Sequence, residues 1–181
     1  LCSTLFPYTT LFRSLYYLAH LLESGDLIAV CRRLLVMAYE DIGLANPAVG
    51  AHVQTATEAA VKLGMPEARI PLATAVVEMC LSDKSNSAYK ALDAAIQAIS
   101  EGKTGSIPNH LKDTHYASAA ILGHGGYLYP HNTPLGTFGG WVKQQYLPDE
   151  LVGTEFYKPV IAGEEKRMAA IYDKLKKFST E

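Results

Sequence analysis

The sequence predicts an all-α protein: a bundle of helices on short loops, an irregular Gly/Pro/aromatic-rich segment, and a C-terminal helix. Three observations predict it. Apolar residues recur at three- and four-residue spacing through most of 15–100, as they do on a helix with one buried face. Gly, Pro, Asp and Asn interrupt those runs where one helix must stop and the next begin. From Glu101 the composition changes, with Gly102, Gly105, Pro108, Gly123, Gly125, Gly126, Pro130, Pro134, Gly136, Gly139, Gly140 and Pro148 breaking every run. The expected organisation is one domain. It has a tail over 1–14, a helical core over 15–102, and over 103–181 an irregular loop plus a helix packed on that core.

Leu27, Val30, Cys31, Leu34, Leu35 and Ala38 share one helix face, and Asp26 stands where an N-cap belongs. This helix should end near Ile42, at Gly43. Asn46-Pro47 reads as a cap followed by a proline in the first helical position, where its missing N–H costs nothing. The stripe of the helix it opens is Val49, Val53, Ala56, Ala60 and Leu63. Gly64-Met-Pro66 stops that helix and starts another, expected to bury Ile70, Ala73, Val77, Cys80 and Leu81. Ser82-Asp-Lys-Ser85 breaks the run before a helix over about 86–100, with Ala88, Leu92, Ala95 and Ile99 on one face. Alanine on these faces lets helix axes approach closely, and the short loops read as a bundle.

A short helix is expected over about 109–121. Between Gly123 and Gly163 the pattern gives an irregular loop with room for a small hairpin; a loop of that length normally serves binding or packing. The chain closes with a helix from about Glu164, its apolar face formed by Met168, Ile171, Tyr172, Leu175 and Phe178.

At 49% hydrophobic and 19% charged, the chain can bury a sizeable core and is not a disordered tail. Its formal net charge of −2 lacks the basic surplus of a typical nucleic-acid module, so any DNA contact must be local. Of the three cysteines, Cys31 and Cys80 occupy apolar helix positions where a thiol behaves as a small hydrophobe. A reduced, cytoplasmic setting is expected, with no run long enough to span a bilayer.

Several constellations invite chemistry. Gly102-Lys103-Thr104 resembles the end of a P-loop, yet Gln97 stands where the motif needs its first glycine, and a helix, not a strand, precedes it. Gly102 reads better as a helix C-cap. His110, His115, His124 and His131 with Asp113 lack compact metal-ligand spacing. Glu40-Asp41 falls at a helix C-terminus, which disfavours acids; a structural partner such as Arg32, Arg33 or the helix start near Asn46 suits the pair better than acid–base work. Lys84-Ser85-Asn86 sits at a helix start, where Ser85 or Asn86 caps the helix or the exposed N–H groups hold an anion. Tyr127, Tyr129, Trp141, Tyr146, Phe156 and Tyr157, with Lys143 and Lys158, could stack and neutralise single-stranded DNA. Equally, they could pin a glycine-rich loop to a helical core. The bases from Lys166 to Lys177 are offset by Glu164, Glu165 and Asp173 and read as a solvated face.

The motifs Leu15-Tyr-Tyr-Leu18, Arg32-Arg33, Tyr39 to Pro47, Lys84-Ser-Asn86, Ile107-Pro-Asn-His-Leu111, Tyr129-Pro-His131, Gly139 to Leu151 and Phe156-Tyr-Lys-Pro159 recur in this order in one family. The chain resembles the C-terminal part of the RarA/MgsA replication-associated recombination AAA+ ATPases, from Leu15 to about Lys177, with Asn132 to Phe138 slightly longer than usual. That resemblance implies a collar-like helical oligomerisation domain of the clamp-loader type, placed after an ATPase module. It also implies tetramer assembly, action at stalled forks in a bacterial, nucleoid-associated protein, and DNA and single-strand-binding protein as partners of the full-length protein. ATP and Mg²⁺ are expected in the ATPase module, and neither a cofactor nor a catalytic or metal site in this segment. Thr4 to Ser14 reads as a short-read sequencing adapter translated in one frame, so 1–14 is expected to be foreign to the gene. It lacks the basic start and small-residue cleavage site of a signal peptide.

The leading expectation is therefore an assembly and partner-binding module. A DNA-contacting module using the aromatic loop is the alternative, and a small-molecule enzyme using the histidines a more distant one. The residues expected at an interface or on DNA are Arg32, Arg33, Lys84, Asn86, Tyr129, His131, Trp141, Lys143, Gln144, Gln145 and Tyr146.

Overall fold

The computed structural model describes residues 11–132 and 141–180. It contains six α-helices: α1 (Leu11–Glu23), α2 (Leu27–Met37), α3 (Ala48–Leu63), α4 (Arg69–Leu81), α5 (Ser87–Ser100) and α6 (Glu165–Thr180). No strand occurs among the described residues. The chain divides into two compact units, Leu1–Lys90 with Pro159–Ala169, and Ala91–Lys158 with Ala170–Glu181.

In the first unit the core is helix against helix. Val30, Cys31 and Leu34 of α2 are buried with Leu18 and Leu22 of α1, Val49, Val53 and Ala60 of α3, and Leu72, Val76 and Met79 of α4. Asp26 caps α2 as its position requires, its carboxylate accepting from the Ala29 N–H at 3.0 Å. After Met37 the helix widens into a π-turn over Ala38–Ile42 and stops at Gly43, whose φ of 47° suits glycine. Asn46 does not cap α3. No side chain caps that helix, and the Asn46 amide instead donates to the Ser82 hydroxyl at 3.2 Å.

The face expected on α4 is displaced. Leu72, Ala75, Val76 and Met79 are buried, whereas Ile70 and Leu81 are exposed and Ala73, Val77 and Cys80 are half-buried. Nearly every α4 position is apolar, so spacing alone could not single out the inward side. Leu63 of α3 is likewise exposed.

The second unit is mostly irregular. Gly102 terminates α5 with φ of 78°. Its N–H bonds to the Ile99 carbonyl and that of Lys103 to Ala98, a helix C-cap rather than a phosphate loop. The helix expected over 109–121 is absent. A single 3₁₀ turn, Asn109–Leu111, ends at Lys112 in extended conformation. The Asp113 carboxylate then accepts from the His115 backbone N–H, a local bond that competes with helix propagation. Turns over 116–124 follow, tied by bonds such as His124 N–H to the Ala119 carbonyl. Ala119 and Val142 are the buried anchors of this stretch.

Candidate functional site

Four of the expected contact residues lie in the first unit. Arg32 is exposed, while Arg33 is half-buried and lines an apolar cavity of about 240 Å³ with Leu18, Val30, Leu34 and Met37. Asp41 sits in the π-turn, where burial pushes its carboxyl above the usual aspartate range. Neighbouring Glu40 adds to that rise, while Arg33 and Lys84 oppose it. Of the partners expected for Glu40-Asp41, Arg33 is thus near enough to act on Asp41.

Lys84 is not presented to an anion. Its ammonium donates to the carbonyls of Met79 (2.7 Å) and Ser82, satisfying orphan acceptors at the end of α4. Burial lowers its pKa from that of an ordinary lysine. The start of α5 is capped by Ser85, whose hydroxyl accepts from the Ser87 N–H at 3.3 Å. Asn86 is half-buried and contributes its carbonyl to Lys90.

The remaining residues gather in the second unit and are largely occupied in holding the loop together. The Gln144 amide accepts from the Leu128 N–H (3.1 Å) and donates to the Leu128 carbonyl (3.0 Å), doing with one side chain what a hairpin ladder would do. It also donates to the Tyr146 hydroxyl at 3.0 Å, which in turn donates to the Val142 carbonyl at 3.1 Å. Trp141 packs against Tyr146 with ring centroids 5.2 Å apart. Gln145 donates to Asp149 at 2.6 Å and to the Leu147 carbonyl at 2.9 Å, and its own carbonyl bonds the His110 ring. Tyr157 meets Tyr172 edge-on at 5.3 Å. Trp141 with Tyr146 and Tyr157 with Tyr172 thus pack ring on ring, whereas Tyr127 is exposed. Tyr129, His131 and Lys143 remain exposed, the first two as a ring pair 5.1 Å apart.

Replacing Gln144 by Ala is expected to remove the Leu128 bonds at a cost of about 1–2 kcal/mol, since each such bond contributes about 1 kcal/mol. Faster hydrogen exchange at the Leu128 amide would report it; unchanged exchange would refute the bridge.

Three of the four candidate histidines are bonded locally: His115 to Asp113 at 2.6 Å, His124 to Tyr116 at 2.5 Å, His110 to the loop backbone. Among the described residues no group of three or more His, Cys, Asp or Glu could hold a metal ion. No described helix is long and apolar enough to cross a membrane. Lys103 of the Gly-Lys-Thr triplet pairs with Glu101 at 2.9 Å, next to the Gly102 that closes α5.

The surface that sequence reasoning missed is on α5. Leu92, Ile96 and Ile99 are 63%, 54% and 61% exposed, although periodicity assigned Leu92 and Ile99 to a buried stripe. The inward side carries small residues instead: Ser87 and Ala98 are buried and Ala91 half-buried. The signal was present as two apolar sides on one helix, one small and one large, which a single-stripe reading merges.

Comparison with known proteins bears on this arrangement. Residues 13–176 match a family described as MgsA AAA+ ATPase C terminal. The chain is 54% identical over 166 residues to Replication-associated recombination protein A of Bacillus subtilis (strain 168), covering 91% of this chain and 38% of that protein. Proteins of the same name from Coxiella burnetii (36% over 154 residues; 84% of this chain, 34% of that one) and Escherichia coli K12 (30% over 157; 86% and 34%) are also similar. The chain thus spans little more than a third of the curated relatives it matches.

Proposed function

The chain belongs to the MgsA AAA+ ATPase C-terminal family, and we propose that it is the assembly and partner-binding module of a replication-associated recombination ATPase. One observation carries this reading: the large apolar side chains Leu92, Ile96 and Ile99 of α5 stand in solvent while Ser87 and Ala98 are the residues of that helix that are buried. A helix that folded only to complete its own monomer would bury the large side. Contiguous exposed apolar surface on a folded protein marks an interaction site. A tetramer is the assembly proposed, with ATP and Mg²⁺ bound outside this segment, and work at stalled forks by the whole protein.

Light scattering over a wide concentration range tests it. Assembly that rises with concentration is expected, with Leu92→Lys weakening association at least tenfold. A strict monomer at high concentration would overturn the reading. The exposed Tyr129–His131 pair and Lys143 favour a second one, contact with single-stranded DNA. That reading predicts binding that falls steeply with salt and weakens in Lys143→Ala; salt-insensitive or absent binding sinks it.

A further inference from the structure

We propose that the apolar cavity beside Arg33 is a binding site for a small monocarboxylic acid with a ring-sized apolar tail. The tail lies among α1, α2 and α4, and the carboxylate on the Arg33 guanidinium. The site is independent of the assembly reading and uses none of the α5 residues that carry it.

The walls select the tail. Leu18 of α1, Val30, Leu34 and Met37 of α2 and Val76 of α4 line the cavity, and all five are buried. Its volume of about 240 Å³ exceeds the roughly 150 Å³ of an apolar cavity that takes up benzene, so a ring with a short chain fits by volume. Water suits such a space poorly, because it needs several polar partners. Wall atoms that face a void also forgo dispersion contacts, which an apolar guest restores.

Arg33 selects the head group. It lines the same cavity, and its Nε–H is buried without a hydrogen-bond partner. A charged donor taken from water and left unbonded is destabilising, and a carboxylate is the acceptor whose two oxygens match a guanidinium. Asp41 does not fill that place: it interacts with Arg33 through space and leaves Nε unbonded.

Asp26 fixes the direction. It also lines the cavity, seven residues before Arg33 and so about 10 Å away along the helix axis at about 1.5 Å per residue. Its carboxylate accepts the Ala29 N–H, offers no donor and repels a second carboxylate. The Ser24 hydroxyl beside it already donates to the Leu21 carbonyl at 2.6 Å. A monoacid therefore has one favoured orientation, with its carboxylate at Arg33, and a diacid spanning the same space is disfavoured.

The test is hydrocinnamate titrated into the whole chain, read by NMR shifts of the Leu18, Val30 and Leu34 methyls. Urea unfolding with and without it gives a second readout, since a compound that binds only the folded chain raises the midpoint. Hydrocinnamyl alcohol supplies the ring without the charge, and acetate the charge without the ring. The acid is expected to bind about tenfold more tightly than the alcohol, the factor that a hydrogen bond to a charged group supplies. Acetate should leave the methyls unmoved. Arg33→Met keeps an apolar stem and should reduce the acid to the affinity of the alcohol, with circular dichroism checking the fold. Ala29→Met directs a flexible side chain into the cavity, keeps the N–H that Asp26 holds, and should abolish binding of both compounds. Equal binding of acid and alcohol, or acid binding undiminished in Arg33→Met, would overturn the carboxylate head group. Acetate moving the same methyls as the acid would overturn the tail. Lining methyls unmoved by every compound, or binding unchanged in Ala29→Met, would overturn the site itself.

Discussion

Gly163→Ala is expected to destabilise the first unit by about 3–5 kcal/mol, an exceptional cost for adding one methyl group. Two effects combine. Gly163 has φ of +48°, a left-handed conformation that costs an L-residue about 1–2 kcal/mol. The larger effect is steric. A Cβ there would lie 2.1 Å from the Ala45 carbonyl oxygen, 3.0 Å from its carbon and 3.2 Å from the Asp83 Cβ. The oxygen cannot yield freely, because it accepts the Glu164 N–H at 2.8 Å, the bond that fixes this strand of chain just before α6. Moving Gly163 away breaks that bond; staying produces a backbone clash. Gly25 provides the control, with φ of +87° and nothing within 4 Å of an added Cβ. Gly25→Ala should show the conformational cost alone, about 1–2 kcal/mol. Urea unfolding of both variants decides it: equal losses would refute the steric account.

Such a contact was invisible in the sequence, because it joins residues more than a hundred positions apart through backbone atoms. What could be read was local. Asp26 caps α2 because an N-cap needs only four consecutive residues to be right, and Gly102 closes α5 for a similar reason. The stripe of α3 was legible because its other side carries His52, Gln54, Thr55, Glu58 and Lys62. On α4 the pattern failed, since a helix apolar on every side carries no phase. On α5 the pattern gave a phase, but the face carrying Leu92 and Ile99 is turned outward. Periodicity identifies an apolar face and cannot say whether the same chain or another covers it.

The aromatic segment failed in another way. Lys112 to Ile121 has helix-compatible composition, yet Asp113 offers its oxygen to the His115 N–H and local bonding wins over propagation. Gln144, read as a contact residue, is instead a brace for Leu128. Side-chain-to-backbone bonds of this kind depend on loop conformation, which no periodicity encodes. The candidate residues consequently divide: Lys84, Gln144, Gln145 and Tyr146 bond to other parts of the chain, while Arg32, Tyr129, His131 and Lys143 are exposed.

Glu165 carries the second large expected effect. It is the first residue of α6 and 0% exposed, which for a carboxylic side chain demands compensation. Compensation comes from a relay: the Ser85 hydroxyl donates to Ser87 Oγ at 3.1 Å, and the Ser87 hydroxyl donates to Glu165 Oε1. An acidic group in the first turn also suits the positive end of the helix dipole. Ser85 and Ser87 are themselves buried, so removing the carboxyl leaves a hydroxyl without its acceptor as well as a cavity. Glu165→Ala is therefore expected to cost about 3 kcal/mol, from the unsatisfied polar group plus lost packing. Glu165→Gln keeps an acceptor oxygen and nearly the same volume, and should cost clearly less. Ser87→Ala removes the donor, and its loss should not add fully to that of Glu165→Ala, because residues in one hydrogen-bond network couple. Urea unfolding of the two single variants and the double variant measures that coupling. Strictly additive losses, or an alanine variant at position 165 as stable as the parent chain, would show that the relay does not hold α6 to α5.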